Sequence, residues 1–240
     1  MFDDLLSDLT KNILDHDGKK LIVPNEFSEC VSKTGNCKVH SWLWNVPKFR
    51  RWRVTRLDAG DNLQVLNSVA YPQYQFDMPI LGVDLLWFGK KQKLVSILDF
   101  QPLMQDQEYF DRYFKELKQL KKCFKEFNSD IKSNIYDPSK YFSPWALVCK
   151  GGNYEVKNIL PKVFNSFLNN YWDNLHLNQD KYTKINSKEV KLLHIEYDKY
   201  SAEKDPAHGL FSGFFGKEWS DKYMKEFLFP LSLEDSNSAF

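Results

Sequence analysis

Asp84 stands in the run Gly82-Val83-Asp84-Leu85-Leu86-Trp87-Phe88, a carboxylate with apolar neighbours on both faces of what reads as a buried strand. Taking a charged carboxylate out of water is costly, so such a group is paired, hydrogen-bonded or held protonated by a raised pKa. A protonated carboxyl in a dry pocket is a ready proton donor. The same residue also fits a plain structural role, bonded to backbone or to an arginine such as Arg56. Asn67, in Val65-Leu66-Asn67-Ser68-Val69, is a second polar residue inside an apolar strand. Asp99, in Ile97-Leu98-Asp99-Phe100, is a third, at a strand end where capping a turn is the simpler role. Asp205-Pro206 interrupts a helical run, and Asp before Pro is an ordinary way to start a helix. His194 and His208 are isolated and read as structural or exposed.

Four strands must position these groups. Val54 and Leu57 lie in one, Leu63 to Tyr71 form a second, Gly82 to Phe88 a third and Leu94 to Phe100 a fourth. Asp61-Asn62 and Gly89-Lys90 are turn chemistry, which predicts antiparallel hairpins, and Pro72 and Pro79 bracket a longer connection. Phe2, Leu5, Leu6, Leu9 and Ile13 recur at helical spacing, predicting a helix over 2–16 closed by Gly18. The apolar stripe from Tyr109 to Phe127 predicts one helix over 106–127. Pro144 to Lys150 reads as a strand. A helix carrying Val163, Phe164, Phe167, Leu168, Tyr171 and Trp172 follows, with Pro161 in its first turn or at a kink. Two or three helices fill 187–229, with Ser187 as N-cap, and residues 232–240 read as a loose tail. The fold expected is α/β, a single-domain α/β/α sandwich over residues 1–240, its central antiparallel sheet flanked by helices on both faces.

The chain has no GxGxxG opening a helix, no GxxxxGK[ST] loop, no GxSxG elbow and no HExxH pair. A redox enzyme built on it would draw electrons from neither a recognisable nicotinamide site nor a bound iron–sulfur cluster. Cys30, Cys37, Cys123 and Cys149 form no CxxC pair, and Cys30, Cys37 and His40 lack a fourth zinc ligand, so free thiols and no metal are expected. With 33 basic against 32 acidic residues, wholesale nucleic-acid binding is excluded while a local basic patch is not. The acidic start Met1-Phe2-Asp3-Asp4 is no secretory signal and no apolar run is long enough to span a membrane, so a soluble, cytoplasmic protein is expected. Aromatic residues, 16% of the chain, can fill a core or line a pocket for a large planar ligand.

Read together, Trp52-Arg53-Val54-Thr55-Arg56-Leu57-Asp58, Leu66-Asn67-Ser68-Val69-Ala70-Tyr71-Pro72, Leu81 to Phe88 and Leu98-Asp99-Phe100-Gln101-Pro102-Leu103 resemble the ferredoxin-dependent bilin reductases. Tyr141-Phe142-Ser143-Pro144-Trp145 and Asp205-Pro206-Ala207-His208-Gly209 extend the resemblance over nearly the whole chain, in order. Ser41-Trp42-Leu43-Trp44 and Phe49-Arg50-Arg51-Trp52-Arg53 make it strongest to the branch that reduces biliverdin IXα at the C15–C16 methine bridge to 15,16-dihydrobiliverdin, in phycoerythrobilin synthesis.

The resemblance implies an open-chain tetrapyrrole held between the sheet and the C-terminal helices, with no bound metal, flavin or other cofactor. Electrons would come singly from reduced ferredoxin through a bilin radical. Asp84 matches the family's central proton-donating Asp, and Asp205 matches a second Asp that some branches need for the A-ring vinyl system. Asn67 stands where the phycocyanobilin-forming branch carries His, and is expected to bind substrate. A monomer is expected, with a downstream bilin reductase as a further partner. The alternatives are a branch-mate that makes phycoerythrobilin, from dihydrobiliverdin or directly from biliverdin, and a non-catalytic bilin carrier. For docking of an acidic ferredoxin, two basic groups stand out: Lys48, Arg50, Arg51 and Arg53, and Lys118, Lys121, Lys122 and Lys125.

Overall fold

Period-two alternation from Phe49 onward builds four long strands, and the turns between them need left-handed or tightly bent backbone. Gly60 supplies φ +60° in the first hairpin and Gln92 closes the third turn at φ +48°. The computed structural model describes residues 1–131, 137–178 and 183–234. Its strands are β1 (Lys19–Leu21), β2 (Glu29–Val31), β3 (Lys38–Asn45), β4 (Phe49–Asp58), β5 (Gln64–Pro72), β6 (Ile80–Phe88), β7 (Lys93–Gln101) and β8 (Leu147–Gly151). They form one sheet in the order β1-β3-β4-β5-β6-β7-β8, with β2 also paired to β3, and every pairing is antiparallel.

The helices are α1 (Asp3–Asp15), the single turn α2 (Asn25–Ser28), α3 (Gln107–Tyr113), α4 (Lys115–Cys123), α5 (Leu160–Asn178), α6 (Ser187–Lys204), α7 (Ala207–Phe215) and α8 (Lys217–Lys222). One sheet face is covered by α1 and α3–α5. There Trp52 stacks on Trp172 with ring centroids 5.6 Å apart, and Phe100 meets Phe167 and Tyr171 at 5.1 Å. The other face is covered by α6–α8 and the π turn Tyr223–Leu228. There Tyr71 donates to Asp198 at 2.8 Å, and the Tyr223 hydroxyl meets Ser41 and Thr55. The expected sandwich, an antiparallel sheet between two helical layers, is what the chain forms.

Several local expectations are corrected. The helix expected over 106–127 is broken at Phe114, whose backbone leaves helical geometry. At the break the Tyr113 carbonyl accepts the Asn174 side-chain amide from α5, and a 3-10 turn, Lys125–Phe127, ends the segment. Asn186, not Ser187, caps α6, in a reciprocal capping box with Glu189. The segment carrying Trp42 and Trp44, assigned no element from sequence, forms strand β3. The expected tail begins as a 3-10 turn, Pro230–Leu233, tied down by Leu231 N–H donating to Asp198; residues 235–240 lie outside the described residues.

Candidate active site between the sheet and the C-terminal helices

Register decides which side chains meet. Asn67 pairs with Asp84, Arg53 with Val69 and Gly82 with Asp99, so these residues all belong to the face that looks toward α6 and α7. The Asn67 amide links two groups: its Oδ1 accepts from Arg53 Nη1 at 2.6 Å, and its Nδ2 donates to Asp84 Oδ1 at 3.3 Å. Arg53 is almost wholly buried, and its Nε donates to the Leu228 carbonyl at 3.1 Å. Arg56, whose side chain emerges on the opposite face toward Asp3, Asp58 and Gln64, is not a partner of Asp84. Strand parity puts Arg53, not the Arg56 suggested by sequence, on the face of Asp84.

Asp205 arrives from the helical layer. It ends α6, and its Oδ1 accepts the Ala207 N–H at 2.8 Å as α7 begins, so the expected capping role and a place in the site coexist in one residue. Burial raises the Asp84 pKa to about 7; the nearby Asp205 charge adds to the rise, while the Asn67 hydrogen bond and Arg53 oppose it. Burial also raises Asp205, against the Ala207 hydrogen bond and Arg53. Two carboxyls that disfavour each other's ionisation, above one buried guanidinium, can hold a proton near neutrality.

Both acids and Asn67 line a cleft partly open to solvent, with a cavity volume of about 150 Å³. Its far wall carries Tyr141, Phe142, Tyr197, Tyr200, Lys204 and Pro206. The three residues singled out from sequence, Asp84, Asn67 and Asp205, therefore converge on one cavity.

Asp99 does not cap a turn. It is fully buried, and its two oxygens accept from Ser143 N–H at 2.7 Å and Ser143 Oγ at 2.5 Å, which anchors the segment that brings Tyr141 and Phe142 to the wall. His194 is buried against the Tyr71 ring and accepts from Arg50 Nε at 2.9 Å, and burial holds it well below the usual imidazole range. His208 bonds Asp221 at 2.7 Å on the surface. Arg50 lies over the Tyr71 ring at 4.1 Å, and Arg51 donates to the Phe227 carbonyl. With Arg53, these arginines tie the C-terminal layer to the sheet instead of forming an exposed basic face. Among the described residues, no group of three His, Cys, Asp or Glu side chains could hold a metal ion, and no helix is long and apolar enough to cross a membrane.

Gln101, Tyr197 and Tyr141 were not read as site residues, although one signal was available. Tyr197, Tyr200, Ser201 and Lys204 recur at i, i+3, i+4 and i+7, a polar–aromatic stripe on a single helical face, and that face lines the cleft.

A family model described as "Ferredoxin-dependent bilin reductase" matches residues 6–230. A protein of Prochlorococcus marinus (strain NATL1A) named "15,16-dihydrobiliverdin:ferredoxin oxidoreductase" is 78% identical over 99% of this chain and 100% of its own length. A protein of the same name from Synechococcus sp. (strain CC9902) is 53% identical over 97% of this chain and 99% of its own. Among solved structures, a phytochromobilin synthase from tomato in complex with biliverdin superposes with a TM-score of 0.80 at 20% identity, covering 100% of this chain and 85% of that one. At that identity the likeness speaks for the fold.

Proposed function

Because the chain belongs to the ferredoxin-dependent bilin reductases, we propose that it reduces biliverdin IXα at the C15–C16 methine bridge to 15,16-dihydrobiliverdin with electrons from ferredoxin. It is an oxidoreductase. The choice of bridge is supported by relatives of that name whose likeness runs the length of the chain.

Two reduced ferredoxins supply two electrons, one at a time, and two protons complete the C15–C16 reduction. The first electron makes a bilin radical whose basicity exceeds that of biliverdin, and Asp84 is the acid that meets it. The observation that carries this mechanism is the Asp84 carboxyl itself: it stands on a central strand, faces the cleft, and burial brings its pKa to about 7 instead of the ~3.9 of a free Asp. Asn67 fixes the orientation of that carboxyl and Arg53 fixes Asn67. Asp205, at the α6–α7 junction, keeps Asp84 protonated by its own charge and plays the secondary part at this bridge. Reduction needs no bound flavin or metal, because the conjugated pigment is itself the electron acceptor. The enzyme acts as a monomer in the cytoplasm and hands its product to a second bilin reductase.

An anaerobic assay tests this reading. Biliverdin and reduced ferredoxin should give the shortened conjugation of 15,16-dihydrobiliverdin by absorption. Formation of phycoerythrobilin, or binding without reduction, would overturn it.

A further inference from the structure

Gln101 ends β7 on the face that carries Asp84, and its side chain leans diagonally across to β6. Its amide lies flat on Gly82. A Cβ built on Gly82 would stand 2.9 Å from the Gln101 Cδ, closer than real side chains approach, and a tight 3.0 Å from its Nε2. Glycine at 82 is therefore the groove in which this amide rests. Gly82 and Asp84 are successive residues on one face of β6, about 7 Å apart along the strand.

The orientation of the amide is determined by its neighbours. Tyr197 donates its hydroxyl to Gln101 Oε1 at 2.5 Å. With its oxygen held by the Tyr197 hydroxyl, the amide turns its NH2 group away from that ring, in the cleft that Gln101 lines. Gln101, Tyr197 and Ser201 all line that cleft. The Tyr197–Gln101 pair thus ends in N–H donors on the sheet face that carries Asp84.

We propose that Gln101 is a substrate-positioning residue whose Nε2 donates to a lactam carbonyl oxygen of the bilin and so sets which carbon lies over Asp84. The inference rests on the bilin-reductase reading above. A neutral amide suits a neutral carbonyl acceptor; a propionate carboxylate is better matched by a cation. A donor held in a groove and pinned at its oxygen has little freedom to lose on binding, and a ligand that leaves it unpaired is penalised.

The test is spectroscopic titration of biliverdin, and of its dimethyl ester, into wild type, Gln101→Met, Gly82→Ala and the double variant, followed by single turnover with reduced ferredoxin. Gln101→Met should weaken binding of both pigments about tenfold, the loss of one well-placed hydrogen bond. It should also shift the bound absorption band and lower the fraction of 15,16-dihydrobiliverdin among the products. Gly82→Ala, which leaves Gln101 chemically intact but pushes its amide aside, should reproduce much of that loss, and the double variant should be no weaker than the weaker single. Should Gln101→Met misfold, Tyr197→Phe, which releases the amide and keeps the ring, should weaken binding in the same direction. Wild-type affinity and band position in Gln101→Met, or losses that multiply in the double variant, would overturn the assignment. A loss confined to the free acid would overturn the lactam in favour of a propionate. If instead wild type binds biliverdin and never reduces it, the function reading fails while the binding comparison still decides the role of Gln101.

Discussion

Asn67 on β5 and Asp84 on β6 stand directly opposite each other in the sheet, and the amide of the first donates to the carboxyl of the second at 3.3 Å. The amide cannot flip without breaking its bond from Arg53, so the polar chain from a buried guanidinium to the acid has one direction. A hydrogen bond from Asn67 favours the ionised carboxyl, and burial together with Asp205 opposes it; the opposing effects win and leave the proton in place near neutrality.

Replacing Asp84 by Asn keeps shape and removes the proton. Biliverdin should still bind, a bilin radical should accumulate on reduction, and product formation should fall on the order of a hundredfold or more. In wild type the protonation step should slow as pH rises through about 7, where Asp84 ionises. Stopped-flow spectra with reduced ferredoxin across pH 6–9 (roughly the range that brackets this pKa) check both points. Turnover of the variant at the wild-type rate would remove Asp84 from the mechanism.

The same carboxyl predicts a pH-dependent stability. Its folded-state value of about 7 lies above the ~3.9 of an unfolded Asp, so the folded form binds the proton more tightly. Stability contributed in this way is complete below the unfolded value and is lost as pH climbs toward 7. Asp84→Asn lacks the loss. Its Tm should gain on wild type between pH ~4 and ~7 and hold a constant lead above that, measured by thermal melts without pigment.

Asp205→Asn retains an acceptor for the Ala207 N–H and removes the charge that helps keep Asp84 protonated. Turnover should fall less than for Asp84→Asn, by about tenfold or below, and the pH limb assigned to Asp84 should move to lower pH. A larger loss in Asp205→Asn than in Asp84→Asn, read in the same assay, would point to A-ring reduction instead.

Arg50, Arg51 and Arg53 of the first basic group are engaged with rings, His194 and main-chain carbonyls, while the second group lies on α4, over the sheet face away from the cleft, so charge reversal on α4 tests whether an acidic donor docks there. Lys118 and Lys122 are exposed on α4, whereas Lys121 is occupied by the Ala146 carbonyl at 2.8 Å. Lys118→Glu combined with Lys122→Glu should slow ferredoxin-dependent turnover roughly tenfold at low salt and flatten its salt dependence, with biliverdin affinity unchanged. Unaltered rates would rule out docking on this face.

Ser143→Ala takes one of two donors from the buried Asp99 carboxyl. The expected cost is about 1–3 kcal/mol of stability, with weaker biliverdin binding because the anchor beside Tyr141 and Phe142 is halved. Thermal melts and pigment titration measure the two effects.

Much of this site was legible in the chain because strand alternation exposes a misplaced polar residue: Asn67 and Asp84 are conspicuous only among apolar neighbours. What alternation could not supply is parity between strands: sequence offers Arg56 as a partner for Asp84, and the register places it on the opposite face, with Arg53 on the face of Asp84 instead. Basic residues at Arg50, Arg51 and Arg53 look exposed by composition, yet each is held by groups more than a dozen residues away, and such long-range partners leave no local trace. The helix over 106–127 was readable as apolar periodicity, but its break depends on an amide from Asn174, sixty-one positions on. β1 and β2 are short edge strands with little alternation to find.

The two acids differ in how freely they can be moved. Asp84 belongs to the inner fabric of the sheet, where a one-residue slip would turn every side chain of β6 to the wrong face. Asp205 terminates a helix, where one inserted residue swings the next position by about 100° around the axis without touching strand register. On the proposed function, changes in which part of a pigment is reduced can accumulate at the α6–α7 junction, as adjustments of a movable jaw against a fixed anvil, while the Asp84 carboxyl stays where it is.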